Sequence, residues 1–176
     1  SASFAFLPPE GVPIADGVTV RQSCLGGEQA FILRPVEGYC LVLPQRFSLL
    51  PQDDGSLGMA GPALDWSAEP ARALLKVFVK PAAGQTLRQL VDAYVDQLPP
   101  TEVPVKQTEI SLGGEPAIRL DGVPSRNGTT EILAVHNDIL YDLAFDPDPQ
   151  GVPQAADDLA QLLDLAVGTF TFLEWQ

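Results

Sequence analysis

Reactive side chains are sparse in this sequence, and the ones present stand apart from one another. His136 is the only histidine, and Asp138 and Asp142 follow it closely, so a Ser-His-Asp relay can be drawn with Ser111, Ser125 or Thr130 as the hydroxyl. Nothing marks the nucleophile of such a relay: no Gly-x-Ser-x-Gly elbow is present, and these are ordinary strand and loop hydroxyls. His136 therefore reads as an ordinary histidine at a strand end, and alone it cannot build a histidine-rich metal site. Asp146-Pro147-Asp148-Pro149 sets two carboxylates two apart on a rigid loop, a spacing that two calcium ligands could use. The EF-hand pattern is absent, however, without the glycine at its sixth position or the glutamate at its twelfth, so a solvated loop is the better reading. Asp53-Asp54-Gly55 is a turn before it is a ligand. Gly26-Gly27 and Gly113-Gly114 are turns too, since neither a Gly-x-Gly-x-x-Gly nor a Gly-Lys-Ser/Thr phosphate loop surrounds them. Asn127-Gly128-Thr129 fits the glycosylation sequon, yet Asn-Gly between strands is first a turn signal. No catalytic residue, metal ligand or cofactor is assigned.

Cys24 and Cys40 are the only thiols and lie sixteen positions apart. Nothing nearby supplies the further Cys or His ligands of a zinc site, and the spacing is not Cys-x-x-Cys. A disulfide fits better than two buried free thiols; closing a loop of this size contributes about 3 kcal/mol. A bonded pair implies an oxidising compartment. Trp66, Trp175 and Tyr39 are the side chains best suited to a binding surface, because large amphipathic rings give contact area at small entropic cost.

The composition bounds what these residues could serve. At 176 residues and 45% hydrophobic, the chain suits one domain that buries about two-thirds of its unfolded surface. Ten Lys+Arg against 23 Asp+Glu give a formal charge of −13 with no basic cluster. Nucleic acid and anionic lipid surfaces are thereby disfavoured as partners. No apolar run approaches the roughly 20 residues of a transmembrane helix. Residues 1–17 hold Pro8, Pro9, Pro13 and Gly11 and read as an extended leader or linker, and 18–176 as a single domain. Ser1-Ala2-Ser3 has neither an initiator Met nor a signal-peptide profile, which leads us to expect a segment upstream, with room for a lipid anchor.

The elements that must position any site are mostly strands. Gln29 to Leu33 and Tyr39 to Leu43 form a hairpin over Arg34 to Gly38, and Phe47 to Leu50 and Ser56 to Ala60 are short strands. Residues 51 to 71 are otherwise a loop that includes Trp66. Arg72 to Lys80 is a strand with Leu75, Val77 and Val79 on one face. Thr86 to Leu98 is an amphipathic helix stopped by Pro99-Pro100. Lys106 to Leu112, Pro116 to Leu120, Thr130 to His136 and Ile139 to Asp146 make an antiparallel meander. At Gly113-Gly114 a three-residue loop taking in Glu115 pairs Ile110 with Ile118 and gathers the apolar residues, so that register is expected over a two-residue turn. At Asn137-Asp138 a two-residue turn pairs Ile132 with Leu143 and Ala134 with Tyr141, leaving apolar residues on both faces. Helices or loops should then cover both sides. A last helix begins near Pro153, carries Leu159, Leu162, Leu163 and Ala166 as its stripe, and ends at Gly168. Phe170, Phe172 and Leu173 close the sheet.

This order of elements resembles the PsbP-like superfamily, which takes in the photosystem II extrinsic subunit, a Ran-binding nuclear import factor and many bacterial envelope lipoproteins. The residues that carry the resemblance are Gly38-Tyr39-Cys40-Leu41-Val42-Leu43-Pro44 with Phe47, the helix Leu87 to Leu98, Gly113-Gly114-Glu115-Pro116-Ala117 leading to Leu120, Tyr141-Asp142-Leu143, and Phe170-Thr171-Phe172-Leu173. It covers roughly residues 30 to 174. The fold it implies is α+β, an antiparallel β-sheet sandwiched by helices, and the superfamily has no shared catalytic motif to carry over. With Cys24, Cys40 and the Pro-rich leader, the chain looks most like the bacterial lipoprotein branch. The expectation is a non-enzymatic extracytoplasmic binding or assembly module, the mature part of an exported lipoprotein, whose partner is a protein or envelope component. The alternative is a small-ligand binder or weak hydrolase with its site between the sheet and loop 51–71. That alternative predicts a concave pocket with convergent polar groups and a strongly perturbed titratable residue.

Overall fold

Alternation of apolar and polar residues over short runs, broken by Gly, Pro and Asn-Asp turns, gives a chain made mainly of strands. The computed structural model describes residues 18–19, 24, 31–50, 52, 54–62, 72–125, 128–147 and 155–175. The elements are β1 (Val18–Thr19), β2 (Phe31–Arg34), β3 (Tyr39–Val42), β4 (Ser48–Leu50), β5 (Leu57–Ala60), β6 (Leu74–Pro81) and α1 (Leu87–Gln97). They are followed by β7 (Lys106–Leu112), β8 (Glu115–Val123), β9 (Thr129–His136), β10 (Ile139–Asp146), α2 (Ala156–Thr169), β11 (Thr171–Phe172) and β12 (Glu174–Trp175). A seven-stranded antiparallel sheet runs β4-β5-β6-β10-β9-β8-β7; a three-stranded sheet runs β11-β3-β2, and β1 pairs with β12.

Both faces of the large sheet are covered, as its two-sided apolar pattern requires. On one face α1 lays Val91 over Ile118, Leu120, Leu133 and Leu140. Thr86 caps this helix reciprocally with Gln89: the Thr86 hydroxyl accepts from the Gln89 amide, and the Thr86 amide donates to Gln89 Oε1 at 2.9 Å. On the other face α2 and the three-stranded sheet bring Leu159, Leu162, Ala166, Tyr39, Leu41, Phe170 and Phe172 onto Ile132, Tyr141, Leu143 and Phe145. The result is an α+β sandwich.

Two turns set the meander's register. Asn137 and Asp138 adopt φ of 51° and 61°, and Ile132 pairs with Leu143 as expected. At Gly113-Gly114 the expected three-residue loop does not form: φ values of 58° and 90° make a two-residue turn that pairs Leu112 with Glu115 and Ile110 with Ala117. Two successive glycines reach positive φ without strain, and this type of turn matches strand twist. The mismatch that argued against this register, Ile118 opposite Glu109, is resolved by α1. Ile118 is buried beneath the helix, while Arg88 at the helix flank donates to Glu109 Oε1 at 2.9 Å and Gln107 Oε1 at 3.1 Å. β7 thus presents its polar residues beside the helix, and β8 its apolar ones beneath it.

The closing segment also departs from expectation. β11 does not complete the large sheet; Thr171 pairs with Cys40 and Phe172 with Tyr39 in the smaller one. Both phenylalanines are buried all the same, and they tie the two sheets together. The last helix continues through Gly168 to Thr169, whose hydroxyl donates to the Leu165 carbonyl at 2.7 Å, and Phe170 caps it. Asp157 and Asp158 stand in its first turn, where the helix dipole favours negative charge. The expected start near Pro153, like the leader 1–17, lies outside the described residues.

Candidate functional site

The residues that a relay would need are separated or already occupied. His136 Nδ1 lies 2.9 Å from Glu115 Oε1, Asn137 Nδ2 donates to His136 Nε2 at 3.0 Å, and the ring stacks on Phe172 at 4.5 Å. Glu115 and Asn137 occupy the two ring nitrogens, and no described serine or threonine hydroxyl bonds to either. Asp138 Oδ1 accepts from the Gly84 amide at 2.7 Å and holds a turn. The Ser125 hydroxyl accepts from Thr129, and Thr130 donates to Asp121, so these two hydroxyls are tied elsewhere, while Ser111 stands on β7 opposite Pro116. Asp54 accepts from the Ser56 amide at 2.9 Å and the Ser56 hydroxyl at 2.6 Å, as a turn-forming aspartate does. Among the described residues no cluster of three metal-ligating side chains occurs. Asp53, Trp66, Asn127 and Asp148 lie outside the described residues, and of Trp175 the structure gives only its strand pairing with Val18. Tyr39 is buried, stacked on Phe170 at 5.1 Å and edge-on to Tyr141 at 6.0 Å. Cys24 and Cys40 come together at disulfide distance, with Cα atoms 6.0 Å apart, packed against Leu173 and Leu33.

What the structure does assemble is a groove at the edge of the large sheet. β5 ends at Leu57, opposite Val77, so Phe78 to Pro81 of β6 extend past their neighbour. The chain before Leu57 curls away through the Asp54-Gly55-Ser56 turn. Arg34 fixes that turn to the β2–β3 hairpin, donating to the Gly55 carbonyl at 2.8 Å while pairing with Glu37. The Tyr141 hydroxyl anchors the hairpin from below by donating to the Glu37 carbonyl at 2.9 Å. Between this wall and residues 77–80 lies an open groove of about 650 Å³, whose lining includes Tyr39, Ser56, Phe78, Lys80 and Asp142. Its volume lies within the range of small-molecule sites.

Behind Asp142 is a second carboxyl. In the β9–β10 register Asp142 pairs with Leu133, which places Glu131 diagonally beside it on the face that carries α1; the β10–β6 register pairs Asp142 with Phe78 and Leu140 with Lys80. Tyr94 of α1 donates its hydroxyl to Glu131 Oε1 at 2.8 Å. Glu131 Oε2 and Asp142 Oδ1 are buried without a hydrogen-bond partner. Burial, followed by the neighbouring Glu131 charge, pushes the Asp142 carboxyl up to about 7, with Lys80 pulling the other way. Burial also raises Glu131, against the Tyr94 hydrogen bond and Lys80. The Tyr94 hydroxyl is raised by burial and by its bond to Glu131.

The sequence offered a signal for this pair. Glu131, Leu133 and Val135 share one face of β9, and Leu140, Asp142 and Ala144 the matching face of β10; two acids interrupting a covered apolar face at diagonal positions are unusual. Tyr94 and Lys80 could not be read in the same way, because they arrive from a helix and a strand elsewhere in the chain. A second open groove, about 420 Å³, runs between α2 and the β7–β9 part of the sheet and is lined mainly by Ile110, Leu163 and Val167, with Arg119 and Asp164.

No protein-family model matches this sequence, and no curated protein sequence matches it. Solved structures do. The solution structure of PsbP from the cyanobacterium Synechocystis superposes with a TM-score of 0.51 over 81% of this chain and 91% of that one, at 10% identity. The fold is PsbP-like. A crystal structure of a protein of unknown function from Pseudomonas aeruginosa, described as a putative regulator, matches over 78% of this chain and 94% of its own at 19% identity and TM-score 0.47. In the PsbP-like fold seen here, the groove sits where β6 outruns β5, against the β2–β3 hairpin. No helix among the described residues is long and apolar enough to cross a membrane.

Proposed function

We propose that this domain is a non-enzymatic binding module that works outside the cytoplasm and takes its ligand in the groove at the β6 edge. The observation that carries the reading is Asp142, which lines that groove with a mostly buried carboxyl whose Oδ1 has no donor; burial also pushes its pKa up. Buried polar groups are ordinarily satisfied, and perturbed acids in concave sites gather where ligands bind. Asp54, Gly55 and Ser56, from the loop 51–71 considered above, contribute to the groove's lining. The hydrolase alternative gains no support, since Glu115 and Asn137 hold His136 and no described hydroxyl bonds to it.

The extracytoplasmic part draws on the cysteine pair at disulfide distance and on the PsbP-like fold. Export as a lipoprotein, anchored upstream of the sequence given, and a protein or envelope partner belong to the same proposal. Labelling thiols in cells that produce the protein should find both cysteines oxidised in the envelope fraction; reduced thiols in the cytosol would remove the localisation.

A thermal-shift screen against metals, sugars, lipids and amines tests the groove. At least one compound should raise the melting temperature of the natural protein and lose that effect in Ser56→Trp, which fills the groove mouth. Stabilisation that survives Ser56→Trp would place binding elsewhere, and steady turnover of an ester probe would contradict the non-enzymatic reading.

A further inference from the structure

Most charged groups of the groove already have partners. Arg34 is held by Glu37 and by the Gly55 carbonyl, and Asp54 by Ser56. Asp142 and Lys80 are left. Behind Asp142 stands Glu131, only 8% exposed, with Tyr94 on one oxygen and nothing on the other. Two carboxyls therefore face one lysine, and two buried oxygens lack donors. A buried acceptor without a donor costs about 1–3 kcal/mol. Asp142 lines the groove and Glu131 does not, so a ligand bearing one positive charge would reach the pair through Asp142 and offset the excess of negative charge there.

The surroundings narrow the chemistry. A divalent cation would want more oxygens than two carboxyls and a phenol supply. An ammonium head is a compact charge with three donors on an aliphatic stem. Phe78, paired with Asp142 in the strand register and lining the groove, offers an aromatic surface of the kind that attracts a cation and packs its stem. The chain's charge of −13 favours the approach of a cation.

We infer that the groove takes a ligand bearing a primary ammonium group, seated between Asp142 and the Phe78 ring with Glu131 behind it. This rests on the groove being the binding site proposed above. The ammonium could be carried by a free amine or by a lysine side chain in a peptide. The recognition chemistry is the same, and the source is settled by the probes.

The test is a ¹H–¹⁵N NMR titration of the whole chain at pH 8 with three probes: n-butylammonium chloride, N-acetyl-lysine methylamide, and n-butanol as the uncharged isostere. Both ammonium probes should move the backbone amides of Ser56, Phe78 and Asp142 saturably, with affinity at least tenfold above butanol. Asp142→Asn and, independently, Glu131→Gln should each reduce that preference to within threefold. Tighter binding of the lysine derivative supports a peptide-borne source, and tighter binding of butylammonium a free amine. Equal affinity for butanol and butylammonium overturns the ammonium inference while leaving the groove as the site. If none of the probes moves the groove amides, the groove reading fails with it.

Discussion

Asp142 carries most of the functional argument, and its raised acidity has a measurable consequence. Its carboxyl is lifted from the ordinary value of 3.8 to about 7, so the fold prefers the protonated form. That contribution is fully present below about pH 4 and is lost as the pH rises through about 7. The groups facing it are Glu131 from β9, Tyr94 of α1 through Glu131, and Lys80 of β6. Asp142→Asn should therefore be more stable than the natural protein at pH 8, by about 2 kcal/mol after allowing for Lys80, with the gap shrinking toward pH 4. Urea unfolding at several pH values reads it, and a gap independent of pH would contradict the environment described. Tyr94→Phe, which strips the donor from Glu131 Oε1, should cost about 1–3 kcal/mol; adding Glu131→Met should recover most of the loss, because both buried partners are then apolar. At this scale the sequence was half legible. The acids stand out on an apolar face once the Asn137-Asp138 turn is placed, whereas their aromatic and cationic neighbours come from distant segments.

Among the elements, the Gly113-Gly114 turn shows what local patterning misses. Alternation alone favoured aligning Ile110 with Ile118, but α1 covers one face and α2 the other, so neither face of β8 has to be polar. Turn geometry then decided the register. The two glycines are not equivalent. A Cβ on Gly113 would meet the Phe172 ring at 2.8 Å, whereas at Gly114 it would meet nothing within 4 Å. Both have positive φ, so Gly113→Ala should cost about 1–2 kcal/mol more than Gly114→Ala in thermal unfolding. Phe172 is the counterpart of this contact, buried with Tyr141 at 4.9 Å and Phe170 at 5.1 Å. Phe172→Ala should cost about 3–5 kcal/mol and loosen the link between the two sheets. That Phe172 belongs to the smaller sheet could not be read from its own segment, because a two-residue strand carries no information about its partner. The β2–β3 hairpin, α1 and the β9–β10 pairing, by contrast, followed from turn residues and periodicity.

For the whole molecule, the order of elements sufficed to point to a PsbP-like fold, which the superposition on the cyanobacterial protein bears out at 10% identity. Order and two-sided patterning survive sequence divergence because they depend on residue class, whereas a groove formed where one strand outruns its neighbour depends on strand ends, the least legible part of any pattern. The cysteine pair acts at this scale too. Cys40 is in β3 and Cys24 precedes the hairpin, so a bond between them restrains the chain next to the groove wall. Reduction, or Cys24→Ser with Cys40→Ser, should lower unfolding stability by about 3 kcal/mol, and thiol titration of the denatured, unreduced protein should find none free. The central claim is that the β6-edge groove is a binding site anchored on Asp142. It is tested most directly by a crystal structure of the protein soaked with n-butylammonium at pH 8. The prediction is a bound amine beside Phe78 with its nitrogen about 3 Å from the Asp142 carboxylate. An empty groove, with the Lys80 ammonium bonded to both Asp142 and Glu131, would contradict it.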